Sequence, residues 1–379
     1  MNDLARHYTK FRVADRLLLT GHSHQAWPDV ALEGQVEAFE DAALCVDDKW
    51  DRAFAKADQV RDGFRLFLDE PTAEIALGGN THELVLRFLS SVDLPRRPRL
   101  VTSDGEFHTL RRQLARLEEA GVEVVRVPAL PADTLVERIA AEVNPQTCAV
   151  LVSAVLFETS RIVPYLGTLA EVCGRYEVEL LVDAYHALGV VPFTTAAIPN
   201  AWVVGGGYKY LQLGEGNCVM RIPPHADTLR PVITGWFAEY TDLDAEHDPK
   251  RVAYGHGAVR FAGATYDPTS HYRAARVFDF FAEQGLTPAR LREISLRQTN
   301  LLASLVDEIP EVTRDRAPRT EFGGFLALRT PEAGRLRARL AEHGVQTDSR
   351  GDHLRLGPAP YVSDKQLETA VGILGELFR

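Results

Sequence analysis

Glu179-Leu180-Leu181-Val182-Asp183-Ala184-Tyr185-His186 is the stretch that decides the fold. Its apolar run is short, unbroken and closed by a carboxylate, as in a strand buried on both faces of a parallel sheet with Asp183 at its C-terminal edge. In open α/β sheets that edge is where ligands bind. Working outward, strand and helix patterns alternate from residue 74: strands over 74–77, 99–102, 123–127, 149–153, 179–182 and 201–204, with helices starting near 81, 109, 135 and 165 between them. This alternation predicts a mostly parallel sheet covered by helices on both faces.

Two amphipathic helical patterns over 30–44 and 52–68 precede the alternating part, behind an arm that runs to about residue 15 and a short apolar strand at 17–19. After residue 255 the pattern shifts to long helices over 272–281 and 288–307. Mixed elements follow, among them a strand within 351–357 and a terminal helix over 363–377. The expected organisation is a large domain over 16–255 and a smaller α+β domain over 256–379, to which the arm 1–15 is attached.

The next strand after Asp183 leads into Gly205-Gly206-Gly207-Tyr208-Lys209-Tyr210. Glycines there permit unusual dihedrals and close approach of backbone to a ligand. A lysine on such a turn, at the ligand edge of the sheet and downstream of Asp183, reads as the amine that holds pyridoxal 5'-phosphate (PLP) as a Schiff base. Asp183 reads as the acid that keeps the pyridine nitrogen protonated, which that cofactor needs to act as an electron sink. Gly78-Gly79-Asn80-Thr81 joins a strand to a helix on the same edge and offers free N–H groups and a hydroxyl to a phosphate. In Asp104-Gly105-Glu106-Phe107-His108-Thr109, Phe107 or His108 can supply a flat group against a ring.

Composition narrows the class. With 379 residues and 45% hydrophobic content the chain buries a large core, and a net charge of −11 gives no basic footprint for nucleic acid. Arg96-Arg97 and Arg111-Arg112 read as solvated faces. Cys45, Cys148, Cys173 and Cys218 lack metal-ligand or disulfide spacing, so no metal site is expected. The N-terminal residues show no signal-peptide pattern and the longest apolar run, 148–157, is too short to span a bilayer, which together predict a cytoplasmic protein without a membrane partner.

Val182-Asp183-Ala184-Tyr185-His186-Ala187-Leu188-Gly189, Tyr208-Lys209-Tyr210-Leu211, Gly235-Trp236-Phe237 and Arg260-Phe261-Ala262-Gly263-Ala264-Thr265 carry a resemblance. In this order and over nearly the whole chain, the sequence resembles the kynureninases and, more broadly, the class V aminotransferase group of fold type I PLP-dependent enzymes. The resemblance implies the fold type I transferase fold, with a mostly parallel seven-stranded type of sheet, and a homodimer with shared active sites. It gives Lys209 the Schiff base and a proton shuttle, Asp183 the ring nitrogen, and Tyr208, Trp236, Asn80 and Thr81 the phosphate. It also places His186 near the cofactor hydroxyl, Phe107 (or His108, if the loop aligns as in cysteine desulfurases) on the ring face, and Thr265 across the dimer interface. Arg355, in Leu354-Arg355-Leu356-Gly357, matches the arginine that grips a substrate α-carboxylate.

The implied reaction is hydrolytic Cβ–Cγ cleavage of an amino acid with a γ-carbonyl, such as kynurenine or 3-hydroxykynurenine, to an anthranilate product and alanine. Tyr208 is implied beside Lys209 in the acid–base steps. Kynureninases carry an Asn-Ser-Leu-Gly-like segment where this chain has Gly21-His22-Ser23-His24, and Asn-Gly-Gly-Pro-Gly where it has Gln212-Leu213-Gly214-Glu215-Gly216. His22, Ser23 and His24 thereby become candidate substrate contacts. A class V aminotransferase or another PLP lyase on a different amino acid stays open, as does a PLP-binding pseudoenzyme. A cysteine desulfurase is disfavoured, because it needs a nucleophilic cysteine late in the chain and none follows Cys218.

Overall fold

The computed structural model describes residues 3–243, 248 and 250–378. Its elements run β1 (Leu17–Leu18), α1 (Val30–Cys45), α2 (Trp50–Leu68), β2 (Glu74–Gly78), α3 (Thr81–Ser91), β3 (Arg99–Ser103), α4 (His108–Glu119) and β4 (Glu123–Val127). They continue with α5 (Leu135–Glu142), β5 (Thr147–Ser153), α6 (Leu166–Arg175), β6 (Glu179–Asp183), β7 (Trp202–Gly206) and β8 (Cys218–Ile222). The expected strands are all present, each within one to three residues of the bounds read from sequence.

β2 to β8 form a seven-stranded sheet in the order β2-β8-β7-β6-β5-β3-β4. All pairs are parallel except those of β8, which runs antiparallel to both β2 and β7. β5, β7 and β8 are buried at every position, which is why their sequences show apolar runs instead of alternation. The register brings the functional ends level: Ser153 pairs with Asp183 and Asp183 with Val204. Because β8 runs backwards, its first residue, Cys218, pairs with both Gly78 and Gly206 on that same edge. Arg97 differs from the expectation of a solvated charge, since its guanidinium donates to the carbonyls of Pro145, Tyr176 and Glu177 and ties three loops together.

The rest of the chain comprises α7 (Thr269–Glu283), α8 (Pro288–Val306), β9 (Thr313–Arg314), β10 (Leu326–Arg329), α9 (Ala333–Glu342), β11 (Val345–Gln346), β12 (Asp348–Arg350), β13 (His353–Leu356) and α10 (Asp364–Glu376). A four-stranded antiparallel sheet, β12-β13-β10-β9, is backed by α8 and α9, and α10 packs on both helices. Thr287 caps α8 ahead of Pro288, and Ser363 and Gln366 form a capping box at α10. Gln366 Nε2 also donates to the carbonyls of Val13 and Arg16, anchoring the N-terminal arm.

β1 belongs to this part of the structure, because it pairs in parallel with β11, and Thr20 bridges to Gly357. The backbones approach so closely here that a Cβ on Gly21 would lie 2.5 Å from the Pro358 carbonyl oxygen, and one on Gly357 2.2 Å from His22 Nδ1. Only glycine fits at either position. Among the described residues, no helix is long and apolar enough to cross a membrane.

Candidate active site

A cavity of about 330 Å³ opens at the C-terminal edge of the seven-stranded sheet, above the ends of β2, β5, β6 and β7. Asn80, Thr81, Phe107, Asp183, His186, Tyr208 and Lys209 all line it, as the sequence predicted. The common cause is geometric: each follows a strand whose direction the parallel sheet has already fixed.

Lys209 is 5% exposed, and its Nζ lies 2.6 Å from His186 Nε2. Burial lowers its amine to about 7, against the opposing pull of Asp183. Burial also drives His186 well below its usual range, with the Lys209 charge adding to the effect, so the imidazole is neutral at pH 7 and can accept a hydrogen from the amine. Asp183 accepts from the Tyr185 N–H (2.9 Å), and burial raises its carboxyl despite that bond and the nearby Lys209. Tyr208 is pushed up to about 12, first by burial, and stays protonated. Lys209 Nζ stands 5.5 Å from the Phe107 ring centroid. His108, by contrast, starts α4 and does not line the cavity, so Phe107 is the aromatic that faces it.

At the other end, Asn80 caps α3 by accepting from the Glu83 N–H (3.0 Å). The first residues of the helix, Thr81 and His82, whose N–H groups have no partner within a helix ladder, line the cavity, with the Thr81 hydroxyl 3.8 Å from Cys218 Sγ. The donor set fits PLP in kind: a helix N-terminus and hydroxyl for a phosphate, a buried carboxylate for a ring cation, an aromatic face, and an amine whose proton is loosely held. Cys218 also lines the cavity, but burial pushes its thiol up to about 11, which makes it a poor nucleophile.

Arg355 does not line the cavity. It is buried on β13 behind Phe157, whose carbonyl accepts from its Nη1 (2.5 Å), and its cross-strand neighbour Asp348 accepts from its Nη2. Asp348 also accepts from Arg350 (3.1 Å), and burial that would raise its carboxyl is outweighed by His22, Arg355 and Arg350, which hold it well below the usual range. The Nε atoms of Arg350 and Arg355 are both buried without a partner, two donors left for an anion. His22 is fully buried beneath this cluster, 3.7 Å from Asp348, and burial lowers it to about 4. His24 does not line the cavity but touches two residues that do, stacked on Tyr208 (4.7 Å) and 3.5 Å from Glu215, with Ser23 hydrogen-bonded to it.

Trp236 and Thr265 lie on two loops that run against each other, since a Cβ on Gly235 would meet the Gly263 carbonyl oxygen at 2.1 Å. Neither residue lines the cavity. Trp236 packs on Phe237 and Tyr240, and Thr265 is exposed. The sequence reading passed over Ser153, Tyr185 and Phe157 in the cavity wall and Glu106 and Asp348 behind it. Ser153 and Tyr185 were detectable, because each sits at or just past the end of a strand already recognised. One further group, Glu158, Asp352 and His353, has the spacing to hold a metal ion, although Asp352 pairs with Arg329.

Residues 291–374 match the family model described as the kynureninase C-terminal domain. No curated protein matches the chain in sequence. Among solved structures, a cystine C-S lyase in complex with its reaction product cysteine persulfide is similar, with 17% identity, a TM-score of 0.84 and coverage of 96% of this chain and 98% of that one. The cysteine desulfurase of Thermococcus onnurineus NA1 gives 17% identity and 0.82 over 99% and 97%, and an Escherichia coli cysteine desulfurase 14% and 0.82 over 100% and 99%. The chain has their fold. It is the fold type I architecture that the sequence resemblance implied.

Proposed function

We propose that this protein is a PLP-dependent enzyme that cleaves the Cβ–Cγ bond of an amino acid bearing a γ-carbonyl, hydrolytically and in the manner of the kynureninases. The observation that carries the cofactor assignment is the buried Lys209 amine, held by His186 in the same cavity as Asp183 and the N-terminus of α3. The family match over residues 291–374 and the motif order around Asp183, Lys209 and Trp236 support the kynureninase type.

Lys209 would hold the cofactor covalently, Asp183 would pair with its ring nitrogen, Phe107 would cover a ring face, and Asn80, Thr81 and α3 would take its phosphate. When bound, PLP supplies a sink for the electrons released at the substrate Cα. Lys209 Nζ, with a midpoint near neutrality, takes up the α-proton and can share it with His186 Nε2. Tyr208 keeps its proton at neutral pH and serves as a hydrogen-bond donor to a carbonyl oxygen. Arg355, with Arg350 beside it, would serve the substrate carboxylate from behind Phe157 through its unpaired Nε, and His24, stacked on Tyr208, and Ser23 would serve the substrate side chain.

The proposed assembly is a cytoplasmic homodimer with a large domain over 16–255 and a small one over 256–379, the small one taking in β1 through its pairing with β11. Supporting it, Leu32, Val36 and Phe39 expose one stripe of α1, and Val232, Ile233 and Trp236 expose another apolar surface. Trp50 connects the two through Ala38 of α1 and Phe237. A second copy seated there would bring Trp236 and Thr265 to its neighbour's phosphate end.

A second reading, a lyase that breaks a C–S bond, is favoured by the similarity to the cystine C-S lyase over nearly the whole chain. Incubation of the PLP-loaded protein with kynurenine, 3-hydroxykynurenine and cystine separates them. Anthranilate products with alanine support the first reading, persulfide with pyruvate and ammonia from cystine the second, and a keto acid that keeps the substrate's whole carbon skeleton an aminotransferase. Absence of a visible absorbance band after PLP addition, or a borohydride label away from Lys209, overturns the cofactor assignment.

A further inference from the structure

Behind the cavity lies a buried acid that the proposed function leaves unused. Glu106, on the loop between β3 and α4, is 3% exposed. Its Oε1 accepts from Ser103 Oγ (2.6 Å) and the Ser153 N–H (3.3 Å), and its Oε2 lies 2.5 Å from Ser153 Oγ. Ser153 closes β5, stands beside Asp183 in the sheet register and lines the cavity. One hydroxyl therefore connects Glu106 to the place where ligands bind. The titratable group facing Glu106 is Asp183 on β6, with Lys209 beyond it, and among the described residues no cation pairs with Glu106. Burial pushes its carboxyl up to about 7, helped by the like charge of Asp183 and opposed by the two serines.

We propose that Glu106 is a proton-holding group of the site, linked to the cavity through Ser153, which keeps its proton while Asp183 is unpaired and releases it when a cation pairs with Asp183. A protonated Glu106 donates from Oε2 to Ser153 Oγ, which frees the serine hydrogen for an acceptor on the cavity side. Once Glu106 ionises, the serine hydrogen turns back onto the carboxylate. In a transfer, the proton leaves Glu106 as the serine hydrogen leaves for the acceptor, so the serine is regenerated and charge balances. The inference rests on the PLP reading only in its choice of cation, the protonated ring nitrogen.

Two measurements test it. In the cofactor-free protein, a carboxyl raised in the folded state gives stability that is lost as pH rises through its midpoint. The melting temperature of the wild type should therefore fall relative to that of Glu106→Gln between about pH 5 and pH 8. A constant difference overturns the proposal without reference to PLP. In the second, calorimetric titration with PLP in buffers of different ionisation enthalpy counts protons: at pH 7 the wild type should release more protons than Glu106→Gln. Equal counts overturn the coupling to Asp183, and an absence of binding in both proteins overturns the PLP reading instead. Should Glu106→Gln fail to fold, Ser103→Ala carries the test. Loss of a donor to the carboxylate should move the pH midpoint of the release upward, and an unmoved midpoint counts against the proposal.

Discussion

The edge of the seven-stranded sheet and the paired loops around Trp236 and Thr265 are finished to different degrees. At the edge, the ionisable groups are buried and partnered: Lys209 with His186, Asp183 with the Tyr185 N–H, Glu106 with two serines. The loops and the nearby face of α1 leave Val232 87% and Phe39 77% exposed. Strand register is rigid enough to bring charged groups together inside one chain. Trp236 and Thr265 sit instead on a short 3-10 turn and a loop with exposed apolar neighbours, which under the proposed dimer a second copy would cover.

The hardest test of that contrast is Lys209→Ala. It should abolish the borohydride-trapped label and lower turnover by roughly 10²–10⁴-fold or more, and label retained on another lysine would show that the edge is not the site. Asp183→Ala should weaken PLP binding by roughly 3–5 kcal/mol, measured as a dissociation constant, because a buried cation loses its partner. The same variant carries a pH signature. Only the free amine captures the cofactor, so in the wild type the capture rate should climb as pH rises through about 7. Asp183 favours the charged amine, so its removal should shift that midpoint down, and an upward shift would contradict the arrangement.

Phe39→Asp addresses the other region. A charge placed in a desolvated contact should cost about 2 kcal/mol or more of association, seen as monomer in sedimentation, while the capture midpoint of Lys209 stays unchanged. The smallest effect belongs to Trp236→Phe, which removes one N–H donor and should raise the PLP dissociation constant by about 0.5–1.5 kcal/mol. No change in a dimeric variant would leave the phosphate to α3 alone.

This contrast also explains what the sequence made legible. Asn80, Thr81, Phe107, Asp183, His186, Tyr208 and Lys209 were readable together because each follows a strand with a strong apolar run, and a parallel sheet delivers such positions to one edge. Asp348 was not, since β12 is three residues long and half-buried throughout, with no alternation to reveal it. Arg355 as a strand residue was visible, but its burial depends on Asp348 and Phe157, the latter almost two hundred positions away in the chain. Glu106 stood in plain view beside Phe107 with no role read for it. Ser103 and Ser153, from two different strands, make it an interior group, and no local pattern records that meeting.

The pairing of β1 with β11 has a consequence for the order in which the molecule can be made. Leu17 is synthesised long before Val345, a wait on the order of tens of seconds at usual elongation rates. Meanwhile Leu17-Leu18-Leu19 has no strand to join, and His22 lacks the Asp348 it will lie against. The cavity wall from Asn80 to Cys218 is complete much earlier. A growing chain can thus complete this wall well before β13, with Arg355 and its proposed carboxylate contact, has been made.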